Sequence, residues 1–404
     1  MKKLHYIFIV CMLCLMQEGT LHAQWVQTNG PNTGTVNALA VSGANIFAGT
    51  SSGGVFLSTD NGTSWTAVNT GMTKTDVRAL IVSGKNIFAG TSGGNVFLST
   101  DNGTSWSAIN IGLTNSDVYA LAVIDTNLFA ATYGGGIYLS TNNGATWTAT
   151  GLTNANVLSL TTSGTNVFAG RFGSGVFLSS NDGKSWTAEN TGLKNTYVYA
   201  LAVSDTDLYA GTYGGVFLST NNGTNWNAVN TGLTDISVNA LDVNGANLFA
   251  GTLAGVFLLP SKDTSWTDVN NGLANRSVYS LAVSGNYLFA GTWSSGIWRR
   301  PLSEMITGVK DDRSNIPSSF SLSQNYPNPF NPATAISYQL TAFSHVTLKV
   351  YDVLGNEIKT LVNEYKPAGK YTVNFDASKL ASGVYFYRLQ AGNYIDVKKL
   401  MLLK

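Results

Sequence analysis

This chain repeats itself, and the repeat limits what it can fold into more than any other feature. The segment VRALIVSGKNIFAGTSGGNVFLSTDNGTSWSAINIGLTNSD recurs with small changes, and its signature V-x-[AS]-L starts at Val36, Val77, Val118, Val157, Val198, Val238 and Val278. Successive starts lie 41, 41, 39, 41, 40 and 40 residues apart, which makes seven copies. Within a copy, period-2 patterning and turn residues mark four short strands: V-x-A-L-A-V, N-I-F-A-G-T, G-V-F-L-S-T and W-x-A-V-N. Four strands in about 40 residues, repeated in this way, predict the blades of a seven-bladed β-propeller over residues 24–300. The ends of the array predict how it closes. Trp25-Val26-Gln27 matches the fourth strand of a copy lacking its first three, while the seventh copy stops after its third strand at Arg300. Pairing the two ends would close the ring and remove its open edges.

Composition agrees with a turn-dense all-β chain. Charged residues are 11% of the 404, hydrophobic residues 44%, and glycines number 43. Residues 24–300 carry 10 Lys/Arg against 13 Asp/Glu, and residues 301–404 carry 11 against 8. Neither part has the basic stripe that phosphate neutralisation needs, so nucleic acid is not an expected partner.

The turn after each third strand carries a motif. Ser58-Thr59-Asp60-Asn61-Gly62-Thr63-Ser64-Trp65 returns from Ser99 to Trp106, from Ser140 to Trp147, from Ser179 to Trp186 and from Ser219 to Trp226. The last three have Asn in the Asp place, and the sixth copy keeps only Trp266. The motif resembles the Asp-box (BNR repeat) of sialidase-like propellers. An Asp or Asn can accept backbone N–H bonds in such a turn, Gly supplies positive φ, and Trp fills the blade. The resemblance therefore implies a fold and names no chemistry.

Beyond Arg300 the pattern breaks. Residues 301–319 are polar and aperiodic and read as a linker, followed by alternating strands over 320–404 that predict a small Ig-like β-sandwich. Asn325-Tyr326-Pro327-Asn328-Pro329-Phe330, then Val350-Tyr351-Asp352 with Gly355, Ser382-Gly383-Val384-Tyr385 and the closing Lys398–Lys404 resemble the type A C-terminal sorting domain of the type IX secretion system. That resemblance implies a diderm bacterium, passage through the periplasm, handling by the secretion machinery through residues 320–404, and release or surface attachment. At the other end, Lys2 and Lys3, an apolar run from Leu4 to Met16 and the exit Leu21-His22-Ala23 read as a signal peptide over 1–23. Both cysteines fall within it, and no later stretch is long and apolar enough to span a membrane.

The propeller region has no histidine and one glutamate, Glu189, which speaks against Ser-His chemistry, most zinc sites and any bound cofactor. A sialidase-like arginine cluster is missing as well: the arginines Arg78, Arg171, Arg276, Arg299 and Arg300 occupy unrelated repeat positions. One catalytic alternative remains. Asp76 and Asp117 hold the same place in successive copies, with Asp235 nearby in its own copy, and two carboxylates could serve an inverting glycoside hydrolase. The bland alternative is that each Asp bonds its own loop.

Positions that vary between copies at one rim are free for recognition. After F-A-G-T the chain gives Ser51, Ser92, Tyr133, Phe172, Tyr213, Leu253 and Trp293, with Arg171 just before Phe172. The second residue of the first strand gives Asn37, Arg78, Tyr119, Leu158, Tyr199, Asn239 and Tyr279. These aromatic and hydrogen-bonding residues suggest a non-catalytic surface for an extracellular glycan or protein ligand. Packing between neighbouring blades is the competing role for the same side chains.

Overall fold

The computed structural model describes residues 24–306 except 115, 116 and 262, and residues 320–404 except 341–343, 367, 368 and 393. Residues 1–23, read from the sequence as a signal peptide, and residues 307–319 of the stretch 301–319 read as a linker lie outside the described residues. The chain divides into two units, at Gly308 and Val309.

Alternation builds each blade from the inside outward. In the first copy the strands are Val36–Ser42, Asn45–Thr50, Gly54–Ser58 and Thr66–Ala67, hydrogen-bonded in that order. Seven such four-stranded sheets are present, and the first strand of each touches that of the next, the seventh meeting the first. The second strands are buried almost throughout, because neighbouring blades cover both faces. Their F-A-G-T glycines mark where blades come closest. A Cβ on Gly49 would lie 2.5 Å from Val77 of the next blade, and one on Gly291 would lie 2.6 Å from Val36. The closing junction therefore packs as tightly as an internal one.

Closure follows the expected route. Val26–Gln27 forms the outer strand of the seventh sheet, Val26 opposite Arg299 and Gln27 opposite Trp298. Trp25 is buried, and its Nε1 donates to Val269 O at 2.6 Å. Trp106, Trp147, Trp226 and Trp266 do the same to Val68, Ile109, Glu189 and Val229 of the preceding blades. Five tryptophans, Trp25 among them, thus pin one blade to a carbonyl of the one before it, while Trp65 and Trp186 reach the hydroxyls of Thr28 and Thr150 instead.

The repeated turn is held by its own side chains. Ser58 Oγ, buried, accepts the Gly62 N–H at 2.8 Å, and Asp60 Oδ1 accepts the Ser64 N–H at 2.9 Å. The same pair of bonds recurs from Ser99, Ser140, Ser179 and Ser219.

Two details depart from the sequence reading. The fourth strand is two residues long in most blades, because an asparagine side chain takes over from the backbone. Asn69 Oδ1 accepts the Val55 N–H at 2.7 Å and its Nδ2 donates to Gly53 O at 2.8 Å, so the amide extends the ladder as a peptide group would. The third blade has no such Asn, and its backbone runs on as Thr148–Thr153. At the other end, the last blade strand is Ile297–Pro301, followed by a 3-10 turn over Leu302–Glu304, and Met305 is buried against Trp25 and Trp298. The blade therefore takes in the first residues of the stretch read as linker.

The second unit is a two-sheet sandwich. One sheet holds Ser321–Leu322, Ala333–Leu340 and Gly369–Asp376; the other holds Glu357–Lys366, Ser344–Tyr351, Gly383–Ala391 and Tyr394–Leu402. Ile336, Tyr338, Leu348, Tyr387, Leu389, Leu400 and Leu402 fill the space between them. Asn325 is buried, donating its N–H to the Tyr387 hydroxyl and its Nδ2 to Thr334 Oγ1 and Pro327 O.

Candidate functional site

Every first strand is irregular at one position. Pairing with the second strand shifts between Val36 and Ala38, and the same shift follows Val77, Val118, Val157, Val198, Val238 and Val278. The residue left over is a β-bulge, a device that re-aims a side chain. The seven bulged residues are Asn37, Arg78, Tyr119, Leu158, Tyr199, Asn239 and Tyr279, and all seven line one cavity of about 540 Å³ at the channel mouth. Tyr133, Phe172, Tyr213 and Leu253, from the loop after the second strand, complete its wall together with Ser237. Those loops are anchored by their backbones, since Tyr133, Phe172 and Tyr213 donate N–H bonds to the carbonyls of Asp117, Asn156 and Tyr197. The third strand starts at this end and finishes in the Ser–Gly turn, so the cavity and the turns lie at opposite ends of a blade.

The rings are exposed rather than wedged between blades: Tyr133 by 45%, Phe172 by 41% and Tyr213 by 58%. They form an arc across the third, fourth and fifth blades. Centroids lie 5.8 Å apart for Tyr119 and Tyr133, 6.5 Å for Tyr133 and Phe172, and 6.5 Å for Phe172 and Tyr199. Burial pushes the hydroxyls of Tyr119, Tyr199 and Tyr279 above the ordinary tyrosine value, which keeps them protonated and able to donate.

The second blade supplies the charge. Arg78 lies with its guanidinium carbon 4.7 Å from the Tyr119 ring centre and donates to the Tyr119 hydroxyl. Its Nη2 meets Asp76 at 3.0 Å and Asp117 at 3.5 Å. Asp117 also accepts the Ser92 hydroxyl at 2.9 Å and the Gly93 N–H at 2.8 Å. Partial burial pushes the Asp117 carboxyl up, but the Gly93 and Ser92 bonds and the Arg78 charge outweigh it and hold the group below the ordinary carboxylate value. Asp235 accepts the Ser237 N–H of its own loop at 3.0 Å. The carboxylates singled out in the sequence are therefore brought together at Arg78, except Asp235, which serves a turn.

Two expected site residues fall elsewhere. Trp293 is 55% exposed and packs edge-on against Tyr279 at 5.9 Å, beside the cavity wall rather than in it. Arg171 occupies a place where the other six blades have a buried Thr whose hydroxyl bonds the following loop, as Thr50 does to Gly54 O. Its guanidinium lies 4.8 Å from the Phe177 ring centre, and burial lowers its pKa. Phe177 packs with Leu152 at the junction of the third and fourth blades, where the repeat is two residues shorter and Ala131 replaces the usual glycine. All three departures meet at one junction, and Arg171 belongs to its packing.

Below the cavity the channel wall changes character. Two residues further along each first strand stand Leu39, Leu80, Leu121, Leu160, Leu201, Leu241 and Leu281, which together line a smaller space of about 260 Å³. Sequence reasoning missed this collar and the bulge above it, although the invariable Leu of V-x-[AS]-L was its signal.

Residues 324–403 match the family described as the secretion system C-terminal sorting domain, and residues 87–195 match the DUF6242 β-propeller domain. No curated protein sequence matches the chain significantly. Among solved structures, it is similar to PorZ, an essential surface component of the type-IX secretion system of Porphyromonas gingivalis, with TM-score 0.54 and 16% identity over 94% of this chain and 61% of that one. The extracellular domain of BT3049 from B. thetaiotaomicron gives TM-score 0.59 and 14% identity, over 94% and 57%. YCF48 bound to D1 peptide gives 0.54 and 18%, over 69% and 95%. The chain spans about three fifths of the length of the first two. At such identities the likeness concerns the fold. The chain is a β-propeller that carries a type IX secretion sorting domain, exported to the cell surface or beyond it.

Proposed function

We propose that the propeller is a non-catalytic binding module, taking an extracellular glycan or protein ligand in the cup at its channel mouth. The observation that carries this reading is the bulge. One side chain per blade is turned into a single cavity, and those seven positions differ between otherwise similar repeats. The loop residues that complete the wall point the same way, since packing alone would have no use for exposed rings at Tyr133, Phe172 and Tyr213. The cavity volume of about 540 Å³ falls in the range of small-ligand sites, roughly 300–1,000 Å³.

The glycoside hydrolase alternative finds less support. An acid catalyst needs a raised pKa, whereas Asp117 is held low and both Asp76 and Asp117 are engaged with Arg78. Binding of the full chain to glycan and peptide arrays tests the proposal. Binding should fall in the Tyr133→Ala, Tyr213→Ala double variant while its melting temperature stays near that of the parent. Binding unchanged in that variant would move the ligand away from the cup. Polysaccharide hydrolysis lost in Asp117→Asn would restore the enzymatic reading.

A further inference from the structure

Resting on the cup as a binding site, we infer that its ligand is a free, uncharged and hydroxyl-rich chain: a short neutral oligosaccharide or the free end of a neutral glycan. Charge is the first argument. Among the described residues lining the cup Arg78 alone is charged, and it is already met by Asp76 at 3.0 Å and Asp117 at 3.5 Å. An anionic ligand would have to compete with two fixed carboxylates, and a cationic one would have to displace Arg78 from them. Either way a charge loses water without gaining a free partner.

Hydrogen bonding is the second argument. Asn37 and Asn239 donate their amide nitrogens to Val77 O at 2.9 Å and Val278 O at 3.2 Å, which fixes the amides and leaves their oxygens as acceptors. Tyrosine hydroxyls that stay protonated stand among them. A set of neutral acceptors and hydroxyls suits a ligand whose own groups are hydroxyls, each able to donate and accept.

Ring orientation is the third. The rings are inclined to one another by 39° for Tyr119 and Tyr133, 60° for Tyr133 and Phe172, and 75° for Phe172 and Tyr199. They make a faceted cradle, which can touch a free sugar ring on more than one side. A coplanar strip would be needed to lie on the flat surface of a crystalline polysaccharide.

The test titrates the full chain calorimetrically with neutral gluco-, galacto- and manno-oligosaccharides, their uronate counterparts and a peptide library, and adds a pull-down on microcrystalline cellulose. A neutral oligosaccharide should bind, with affinity nearly constant between ~0.05 and ~0.5 M salt, and should weaken at least ~10-fold in Tyr213→Ala. Tyr213→Phe, which keeps the ring, should retain most of the affinity and guards against a folding artefact. Tighter binding of a uronate chain, strong salt dependence, cellulose retention or cup-dependent peptide binding would overturn this inference and leave the cup a binding site. Failure of every probe to bind in a Tyr213-dependent way would overturn both.

Discussion

Trp106 is buried and donates to a carbonyl of the preceding blade, so it contributes apolar contact and a bond across a junction at once. Trp106→Ala is expected to cost ~3–5 kcal/mol, measured by denaturant unfolding; parental stability would contradict the pinning role. Asp242 carries a different kind of prediction. Its carboxylate accepts the Val283 N–H of the next blade at 2.7 Å. Loss of water pushes its pKa from 3.8 to about 6, against the bonds from Val283 and Val243. The folded state therefore keeps a proton that the unfolded chain releases. Stability from this group is full below pH 3.8 and drains away as pH rises through about 6. Asp60 and Asp101, held at about 2 by bonds first from Ser64 and Ser105, act oppositely and lose their contribution as pH falls toward 2. Asp242→Asn should flatten the stability curve between about pH 4 and 6, and an unaltered curve there would refute the assignment. At this scale the sequence was readable where one residue type recurs with one job, as the turn serines and tryptophans do. The packing of Arg171 against Phe177 was not readable, because it depends on a shortened link in the blade before it, a relation that no position in its own repeat displays.

At the scale of elements, the short N-terminal strand matters out of proportion to its length. Trp25 and Val26–Gln27 complete the seventh sheet, and Thr28 adds bonds to Ile297 O through its N–H at 2.9 Å and its hydroxyl at 3.0 Å. Deleting residues 24–30 exposes the edge of Ile297–Pro301 and empties the Trp25 slot, so the melting temperature should fall sharply. Unchanged melting would show that the ring stands without this strand. The strands and the closure were legible because alternation is a local property of sequence. The bulge was not, since an unpaired residue in a strand is visible only against its partner, and the alternation simply continues through V-x-A-L. Most residues that line the cup were still legible as variable positions, because seven copies compared with one another separate what recurs in every blade from what differs. Their gathering in one cup needed the register.

For the whole molecule, the sorting domain addresses the chain, and the propeller carries the cup proposed to bind. Lys398–Leu402 lies in the last strand of the sandwich, and Leu400 and Leu402 are fully buried there. Removing Lys398–Lys404 should strand the protein in the periplasm, followed by cell fractionation; normal delivery would show that the tail is dispensable. An exported protein must also last where it cannot be readily replaced. Its turns contain Asn61-Gly62, Asn102-Gly103, Asn143-Gly144 and Asn222-Gly223, the dipeptide that ages fastest. Ageing begins when the glycine nitrogen attacks the asparagine amide carbon, expels ammonia and closes a succinimide that opens to aspartate or isoaspartate. In each of these turns that nitrogen is already bound, its hydrogen given to a buried serine oxygen at 2.8 Å. The bond that shapes the turn thus also slows its chemical clock, and isoaspartate should accumulate at Asn102 during storage once Ser99 is replaced by Ala.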